Sequence, residues 1–300
     1  MLVQQLINGI TLGSVYALIA LGYTMVYGIL GLINFAHGEI YMIGAYLAVI
    51  VFGLLTVSGI TAYSLPLSVF IVFAAAGIFC GAYGITAERI AYRPLRHAHR
   101  LSPLISAIGM SIFLQNYVML TQGATDKIFP YVIPPSGVTI MGASLTYLQM
   151  FILAASFILM FLLHLFIKNT RLGKAMRATS QDKRMAGLVG IDIDRIIAIT
   201  FVIGSILAAA AGIMVAMYYG SVNFFIGYVA GIKAFTAAVL GGIGNIPGAM
   251  LGGLLLGLIE GLGAGYISSE YKDVFAFVML ILVLIFRPAG LLGEKISEKV

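Results

Sequence analysis

The sequence predicts an all-α fold, a polytopic bundle of transmembrane helices with about eight full spans and one short or re-entrant segment. Hydrophobic residues make up 61% of the 300 residues, charged residues only 9%, and the mean hydropathy is +1.06. An ordinary soluble domain carries about 25% charged residues, so this chain lacks the polar surface that water requires. Short basic loops separate its long apolar runs, as in proteins that cross a membrane repeatedly.

The apolar runs define the predicted spans, because a helix needs about 20 apolar residues to cross the hydrocarbon core. The candidate runs are Leu6–Ile29, Ile40–Val57, Leu65–Ala87, Pro103–Thr121, Tyr147–Ile167, Ile196–Tyr218, Ala249–Gly265 and Val274–Phe286. A further stretch, Ile232–Leu240, is too short to span as an ordinary helix. The first run is expected to be a retained span, since Met1–Gln5 has no basic n-region and no A-x-A site follows.

Two basic loops predict the orientation of the bundle. They contain Arg89, Arg93, Arg96 and Arg100 after the third run, and Lys168, Arg171, Lys174, Arg177, Lys183, Arg184 and Arg195 after the fifth. The positive-inside rule makes both loops cytoplasmic, so Gln122–Thr146 faces outside. Arg287, Lys295 and Lys299 then place the C-terminus inside. This parity requires the short stretch within Gly220–Gly248 to cross, or to dip in and return, and both stay open.

The second basic loop, residues 168–195, has helical periodicity. Its apolar and small residues recur at helical spacing, at Leu172, Ala175, Met176, Thr179, Met185, Ala186 and Val189. Gly190 is placed as the stop signal. The pattern predicts one or two short amphipathic helices on the cytoplasmic side. They could lie on anionic headgroups, or their apolar face could enter a groove of a soluble partner.

A polar block, Asn34–Glu39, interrupts the apolar sequence near the N-terminal end. A charged side chain at mid-bilayer costs about 2.5–3.5 kcal/mol on insertion scales, so such residues usually face a cavity or a partner. One interpretation is that the block lines a path or forms a broken helix, with Asn34, Phe35, His37 and Glu39 as candidates. The other is a short cytoplasmic turn in which Asn34 caps the next helix. A similar interruption at Gly241–Gly248 favours the first interpretation, because transport sites are often built from interruptions in both halves.

Glycines near the C-terminal end predict close helix packing. They repeat every fourth residue, at Gly244, Gly248 and Gly252 and again at Gly253, Gly257, Gly261 and Gly265. Small-residue stripes let helix backbones approach in lipid, where burial of apolar surface drives no association. Packing is therefore the expected role of Gly248, Gly252, Gly253, Gly257 and Gly261, with contact between subunits as an alternative.

Two ionisable residues, Lys233 and Glu260, lie near or within apolar sequence. Intramembrane charges raise the suspicion of function. We expect structural roles for both, since Lys233 can snorkel to an interface and Glu260 can reach water near the outer surface.

Motifs of other function classes do not occur. Gly173-Lys174 lacks the upstream glycine of a phosphate-binding loop, and neither G-x-S-x-G nor H-E-x-x-H is present. We therefore expect no enzyme, no catalytic residue and no metal site. The net charge of +6 sits in the basic loops, so no nucleic-acid partner is expected. An ion-coupled transporter or channel is the main rival, but the spans offer few carboxylates, mainly Glu39 and Glu260.

Four blocks resemble the permeases of ABC importers for branched-chain amino acids. They are Asn34–Glu39, Lys233–Asn245, Arg287–Gly293 and the second basic loop. In that loop the family pattern is matched by Gly173, Ala175, Arg177, Ala178, Asp182, Ala186, Gly190 and Ile191. The blocks keep the family order from end to end, and the match is closest to the first of the two paralogous permeases.

The resemblance implies one permease domain over residues 1–300, with a cytoplasmic coupling helix in the loop at about 168–195. Gly173, Arg177, Asp182, Ala186 and Gly190 would couple it to the ATPase. The implied partners are a second permease (a paralogue or a second copy), two ATP-binding cassette subunits that bind the ATP, and an extracytoplasmic binding protein. Leucine, isoleucine or valine would cross the inner membrane, with urea, amides and other amino acids as alternatives. No cofactor is expected in this chain.

Overall fold

Helices build almost the whole fold, as the sequence predicts. The computed structural model describes residues 1–96, 98–99, 101–130, 133–134, 136–140 and 142–293. The α-helices are α1 Leu2–Leu30, α2 Ala36–Val57, α3 Ile60–Tyr63, α4 Leu65–Ala87, α5 Ser102–Gln122, α6 Tyr147–Asn169, α7 Arg171–Gln181, α8 Lys183–Leu188, α9 Ile193–Tyr219, α10 Ile226–Gly241, α11 Ile246–Tyr266 and α12 Lys272–Phe286. A π-turn, Glu88–Tyr92, and a 3-10 turn, Arg93–Leu95, follow α4. The predictions for Arg100, Lys295 and Lys299 fall outside the described residues.

Short strands pair on the loops between helices. β1 (Lys127–Ile128) pairs antiparallel with β4 (Ser221–Val222), and β2 (Gly137–Ile140) forms a hairpin with β3 (Ala143–Thr146). The first pair joins the loop after α5 to the end of α9.

In the described part of the chain, seven helices are long and apolar enough to span a membrane: α1, α2, α4 (extended by the turns after it), α5, α6, α9 and α11. Together they confirm the polytopic helical fold. The predicted run Val274–Phe286 lies in α12, which has only 15 residues. At 1.5 Å per residue, α12 is about 22 Å long, against a hydrocarbon core of about 30 Å. It ends before Arg287-Pro288, because a residue preceding proline disfavours helical geometry. An eighth full span therefore stays a prediction.

Helix α1 forms the centre of the bundle and packs on α11, α9, α10 and α6. The glycine stripes of α11 explain how two of these helices approach so closely. A methyl group at Gly257 would overlap the backbone of Gly13 of α1, and one at Gly252 would overlap the backbone of Ala237 of α10. Gly253 and Gly261 share the α1 side, and Gly248 shares the α10 side. Both stripes thus pack within the chain, where small residues replace the missing hydrophobic driving force.

The two faces of the bundle carry different loops. On one, which we call the hairpin face, the side chain of Gln4 accepts a hydrogen bond from the backbone of Ser144 at 2.8 Å. On the other, which we call the basic face, Lys183 of α8 donates to the carbonyl of Leu30 at 3.2 Å. The beginning of α1 therefore lies on the face opposite α7 and α8, a relation that the sequence leaves open.

Helix α10 runs from the hairpin face to the basic face although it has only 16 residues. It begins just after β4, and the turn after it places Gly244 beside Gly28, near the end of α1. The segment after α12 returns to the same place, since the backbone N–H of Leu291 donates to the carbonyl of Leu240 at 2.9 Å. The short stretch therefore passes from one face to the other and does not return to the hairpin face.

Candidate translocation path and coupling region

The polar block Asn34–Glu39 lies inside the bundle. The imidazole of His37 fits against Gly22 of α1, where a methyl group would overlap it. Gly22 lies about two turns before α1 ends at Leu30, so α2 starts roughly 12 Å inside the basic face. The chain after Gly31, which ends α1 in the left-handed conformation at φ 70°, turns back into the bundle. This is the geometry of a broken helix and not of a surface turn.

Asn34 joins the start of α2 to the end of α4. Its side chain is buried, and its Oδ1 accepts a hydrogen bond from the hydroxyl of the buried Tyr92 at 2.5 Å. The N-cap position of α2 is Phe35, and no side chain among the described residues caps that helix. The alternative interpretation, in which Asn34 caps the helix, is therefore wrong, because its amide oxygen is engaged by Tyr92.

Aromatic rings fill the space beside the polar block. The ring of Tyr23 of α1 meets His37 edge to face, with 4.9 Å between centroids. The ring centroid of Phe235 in α10 lies 6.5 Å from that of Tyr23 and 6.3 Å from that of the half-buried Phe35. Phe35 and His37 thus form an aromatic layer between α1, α2 and α10.

Glu39 is a buried carboxylate in the first turn of α2, with 1% of its surface exposed. Ser111 of α5 donates to its Oε1 at 3.0 Å, whereas its Oε2 has no hydrogen-bond partner among the described residues. This oxygen faces Gly227 of α10, where a methyl group would lie 2.5 Å from it. A half-satisfied carboxylate inside a membrane bundle is costly, which makes Glu39 a candidate functional group.

Lys233 and Glu260 have partners that sequence reasoning missed. They are 3% and 2% exposed, and Nζ of Lys233 lies 2.8 Å from Oε1 of Glu260. The hydroxyl of Tyr16 donates to Oε2 of Glu260 at 2.9 Å and accepts from Lys233 at 3.3 Å. The expectations that Lys233 snorkels and that Glu260 reaches water are wrong, because each charge is neutralised by the other inside the bundle. The sequence signal that could have predicted this pair was the presence of two opposite charges within apolar segments.

A second carboxylate completes this cluster. Oδ1 of Asp273, in the first turn of α12, lies 2.6 Å from Nζ of Lys233, but its orientation makes no hydrogen bond among the described residues. The Asp273 side chain is 40% exposed, unlike Glu260. Lys272 lies next to it, with its Nζ 5.9 Å from the centroid of the Tyr219 ring.

A cavity of about 370 Å³ opens beside this cluster, between the end of α9 and the starts of α10 and α12. Its volume is near the lower end of the range for small-molecule sites, roughly 300–1,000 Å³. Its polar lining includes Lys233, Lys272, Asp273, Asn223, Ser221 and the tyrosines Tyr16, Tyr41 and Tyr219. The cavity lies toward the hairpin face, because Ser221 belongs to β4. Its floor reaches the middle of α1 at Tyr16.

The predicted amphipathic loop forms two helices, α7 and α8, on the basic face. Thr170 caps α7 by accepting from the backbone of Gly173, and Asp182 caps α8 by accepting from Arg184 at 2.8 Å and Met185 at 3.0 Å. Gly190 follows α8 with φ +87°, a conformation that favours glycine. The local capping signals of the loop therefore determine where both helices begin and end.

The five coupling candidates divide into buried and exposed positions. Gly173 packs against the backbone of Ile167, where a side chain would collide, and Ala186 is also buried. Arg177, Asp182 and Gly190 are exposed. Gly173 and Ala186 therefore hold the two helices against the bundle, and only the exposed three are accessible to a partner.

The apolar residues of the two helices also divide. Met176 and Thr179 of α7 pack onto the chain's own helices. Met185, Leu188 and Val189, at or just after α8, are exposed, Leu188 at 76%. Most of the apolar side of α7 is thus already covered, apart from Leu172 at 39% exposed, whereas α8 presents apolar side chains outward.

An ion-pair cluster lies beside α8 and was not foreseen. The carboxylate of Glu88, with no exposed surface, pairs with Arg93 at 3.4 Å and with Arg96. Both arginines also pair with Asp194 in the first turn of α9. Burial and the neighbouring Arg96 lower the pKa of Lys183. The first basic loop therefore fastens α4 to α9 in addition to being positively charged.

Comparison with known proteins gives a consistent family. Residues 5–284 match the family model described as branched-chain amino acid transport system, permease component. The chain is similar to the high-affinity branched-chain amino acid transport permease BraD of Pseudomonas aeruginosa, with 56% identity over 99% of this chain and 97% of the relative. It is similar to the corresponding LivH proteins of Salmonella typhimurium (54%) and Escherichia coli (53%), at the same coverage. No solved structure matches it.

Proposed function

We propose that this chain, which belongs to the branched-chain amino acid transport permease family, is the membrane-spanning subunit of an ATP-driven importer for leucine, isoleucine and valine. The observation that carries the proposal is a series of buried polar groups between the two faces. The cavity extends from the hairpin face to Tyr16 and Lys233, and Glu39 and Asn34 continue from there toward the basic face. Charged and polar side chains inside a bundle mark a substrate route.

The basic face is cytoplasmic in this proposal and the hairpin face is outside the inner membrane. The positive-inside rule supports this orientation, because α7, α8 and the arginines that bind Glu88 lie on one face. The N-terminus is then outside. The segment through Gly293, which packs against α10 at the basic face, is inside.

The partners follow from the same orientation. Two ATP-binding cassette subunits would dock on α7 and α8, since Leu188 and Arg177 are exposed there. A binding protein would deliver the amino acid to the hairpin face, and a second permease would complete the path. The chain acts as a single permease domain that contains no cofactor, and ATP is bound by the partners.

The polar block is the inner closure of the path. Asn34, His37 and Glu39 are buried and Phe35 is half-buried, and together they form a layer between the cavity and the basic face. Substrate in the cavity must pass this layer, so α2 and α10 have to separate there. Alternating access would consist of this opening, driven from α7 and α8.

Reconstitution tests the proposal. The chain and the subunits that co-purify with it are placed in proteoliposomes containing ATP, and uptake of radiolabelled leucine is measured with and without the binding protein. We expect ATP-dependent uptake that requires the binding protein and is reduced by isoleucine and valine. Competition by urea instead would overturn the substrate assignment. Uptake driven by an imposed ion gradient, without an ATPase partner, would overturn the importer.

A further inference from the structure

We propose that the cavity beside Lys233 is a binding site for a zwitterionic α-amino acid with an aliphatic side chain. The ligand carboxylate replaces Asp273 as the second partner of Lys233, and the released Asp273 pairs with the ligand ammonium. This inference rests on the proposed function and names the residues of this chain that hold the substrate.

Lys233 has one partner buried in the bundle, Glu260, and one that a ligand can replace, Asp273. Glu260 and Tyr16 hold its Nζ from within the bundle, at 2.8 and 3.3 Å, and Glu260 is 2% exposed. Asp273 is on the cavity side, 40% exposed, and its contact at 2.6 Å lacks hydrogen-bond geometry. A ligand that enters the cavity can therefore displace Asp273 without leaving Lys233 as an unpaired buried charge.

The charges around the cavity balance one another. Lys233, Lys272, Glu260 and Asp273 together are neutral, and a zwitterion keeps them so. Its carboxylate has Lys233 and Lys272 as partners, and its ammonium has Asp273. An uncharged amide or urea brings neither charge. A carboxylate alone offers no cation to the displaced Asp273, and an amine alone cannot take the place of Asp273 at Lys233.

The rest of the cavity wall has a different composition. It is apolar, formed by the ring of Phe225 and by the aliphatic side chains of Leu12, Val215, Ile226, Val229 and Ala230. These residues surround the same space of about 370 Å³ into which the charged groups project. A branched aliphatic side chain can be buried there while the backbone groups of the amino acid meet the charges.

Saturation-transfer NMR tests the site directly, because it detects weak binding. The assembled transporter in detergent, with neither binding protein nor ATP, is the receptor, and L-leucine is the probe. We expect a leucine signal that L-valine reduces. At equal concentration, 4-methylpentanoate, which lacks the ammonium, and 3-methylbutylamine, which lacks the carboxylate, should leave it unchanged. Equal competition by either of them would overturn the proposal.

Substitution of Asp273 supplies the second arm. Asp273→Asn keeps the shape and should weaken leucine binding about tenfold, the scale of one lost charged contact, whereas Asp273→Glu should retain most of it. Asp126→Asn, an exposed aspartate in the loop after α5, is the matched control and should bind like the wild type. Gel filtration of the assembled complex establishes that each variant folds.

The outcomes separate the two proposals. Wild-type binding by Asp273→Asn, with leucine uptake intact in the wild type, would overturn the zwitterion site and leave the importer standing. Absence of ATP-dependent leucine uptake by the wild type would overturn the importer itself.

Discussion

Lys233 and Glu260 form a buried ion pair of 2.8 Å that joins α10 to α11, although the two residues are 27 positions apart. Lys233 lies at the floor of the cavity, and Tyr16 of α1 is hydrogen-bonded to both members of the pair. Polar contacts therefore join α1, α10 and α11 at the inner end of the cavity.

Removal of Lys233 should destabilise the bundle more than removal of Glu260. Lys233→Met leaves both carboxylates without their cation, and breaking a buried pair in this way costs about 3–5 kcal/mol. Glu260→Met should cost less, because Asp273 still pairs with Lys233 at 2.6 Å. The midpoint of thermal aggregation in detergent measures both.

The double variant, Lys233→Met with Glu260→Met, provides the control for this pair. Replacing a whole buried pair by apolar residues is often neutral, so its stability should exceed that of Lys233→Met. A double variant no more stable than Lys233→Met would show that the side chains themselves, and not their charges, support the bundle.

Helix packing at α11 should depend on the absence of a side chain. Gly257→Ala inserts a methyl group into the backbone of Gly13 and should cost about 1–3 kcal/mol. Gly53→Ala in α2 is the matched control, since no atom of the described residues lies within 4 Å of the added methyl group. It should be neutral or stabilising by up to about 1 kcal/mol. Equal thermal stability of the two variants would contradict this packing.

Charge on α8 should uncouple transport from ATP. Leu188→Asp places a carboxylate on the exposed apolar surface, so the ATP-binding subunits should co-purify less and leucine uptake should fall at least about tenfold. Ala186→Asp should abolish uptake with membrane insertion intact, because burying the new charge displaces α8. Normal uptake by Ala186→Asp, at normal expression, would refute the coupling role of this helix. Thr125→Asp, exposed in the loop after α5, serves as the control.

The orientation can be tested by labelling cysteines in intact cells. The native Cys80 is buried, so Leu2→Cys and Leu188→Cys each introduce one exposed thiol. A membrane-impermeant maleimide should modify Leu2→Cys in intact cells and Leu188→Cys only after permeabilisation. Labelling with the opposite pattern would invert the proposed orientation.

The long spans were predictable because each depends on local composition. About 20 apolar residues between basic loops specify a membrane helix regardless of its neighbours. The ends of α7 and α8 were predictable for the same reason, since Asp182 and Gly190 act within a few residues of their positions. The sequence also supplied the family resemblance, which the comparisons confirm.

Contacts between distant residues could not be predicted in this way. The position of Asn34 depends on Tyr92, and the role of Ser111 depends on Glu39. No pattern within a short window encodes either pair. The arginines of the first basic loop illustrate the same point. Their number in the sequence predicts the orientation of the chain, but their pairing with Glu88 is visible only in the folded structure.

By itself, the sequence determined that the chain enters a membrane, roughly where it crosses, which loops share a face, and its family. Only the tertiary structure decided that α10 runs from face to face, that α2 begins inside the bundle, and that Lys233 meets Glu260, Tyr16 and Asp273. The physical reason is the separation along the chain over which each interaction acts. Hydrophobic transfer and capping act on each segment alone, whereas a buried charge finds its partner only when several helices have packed.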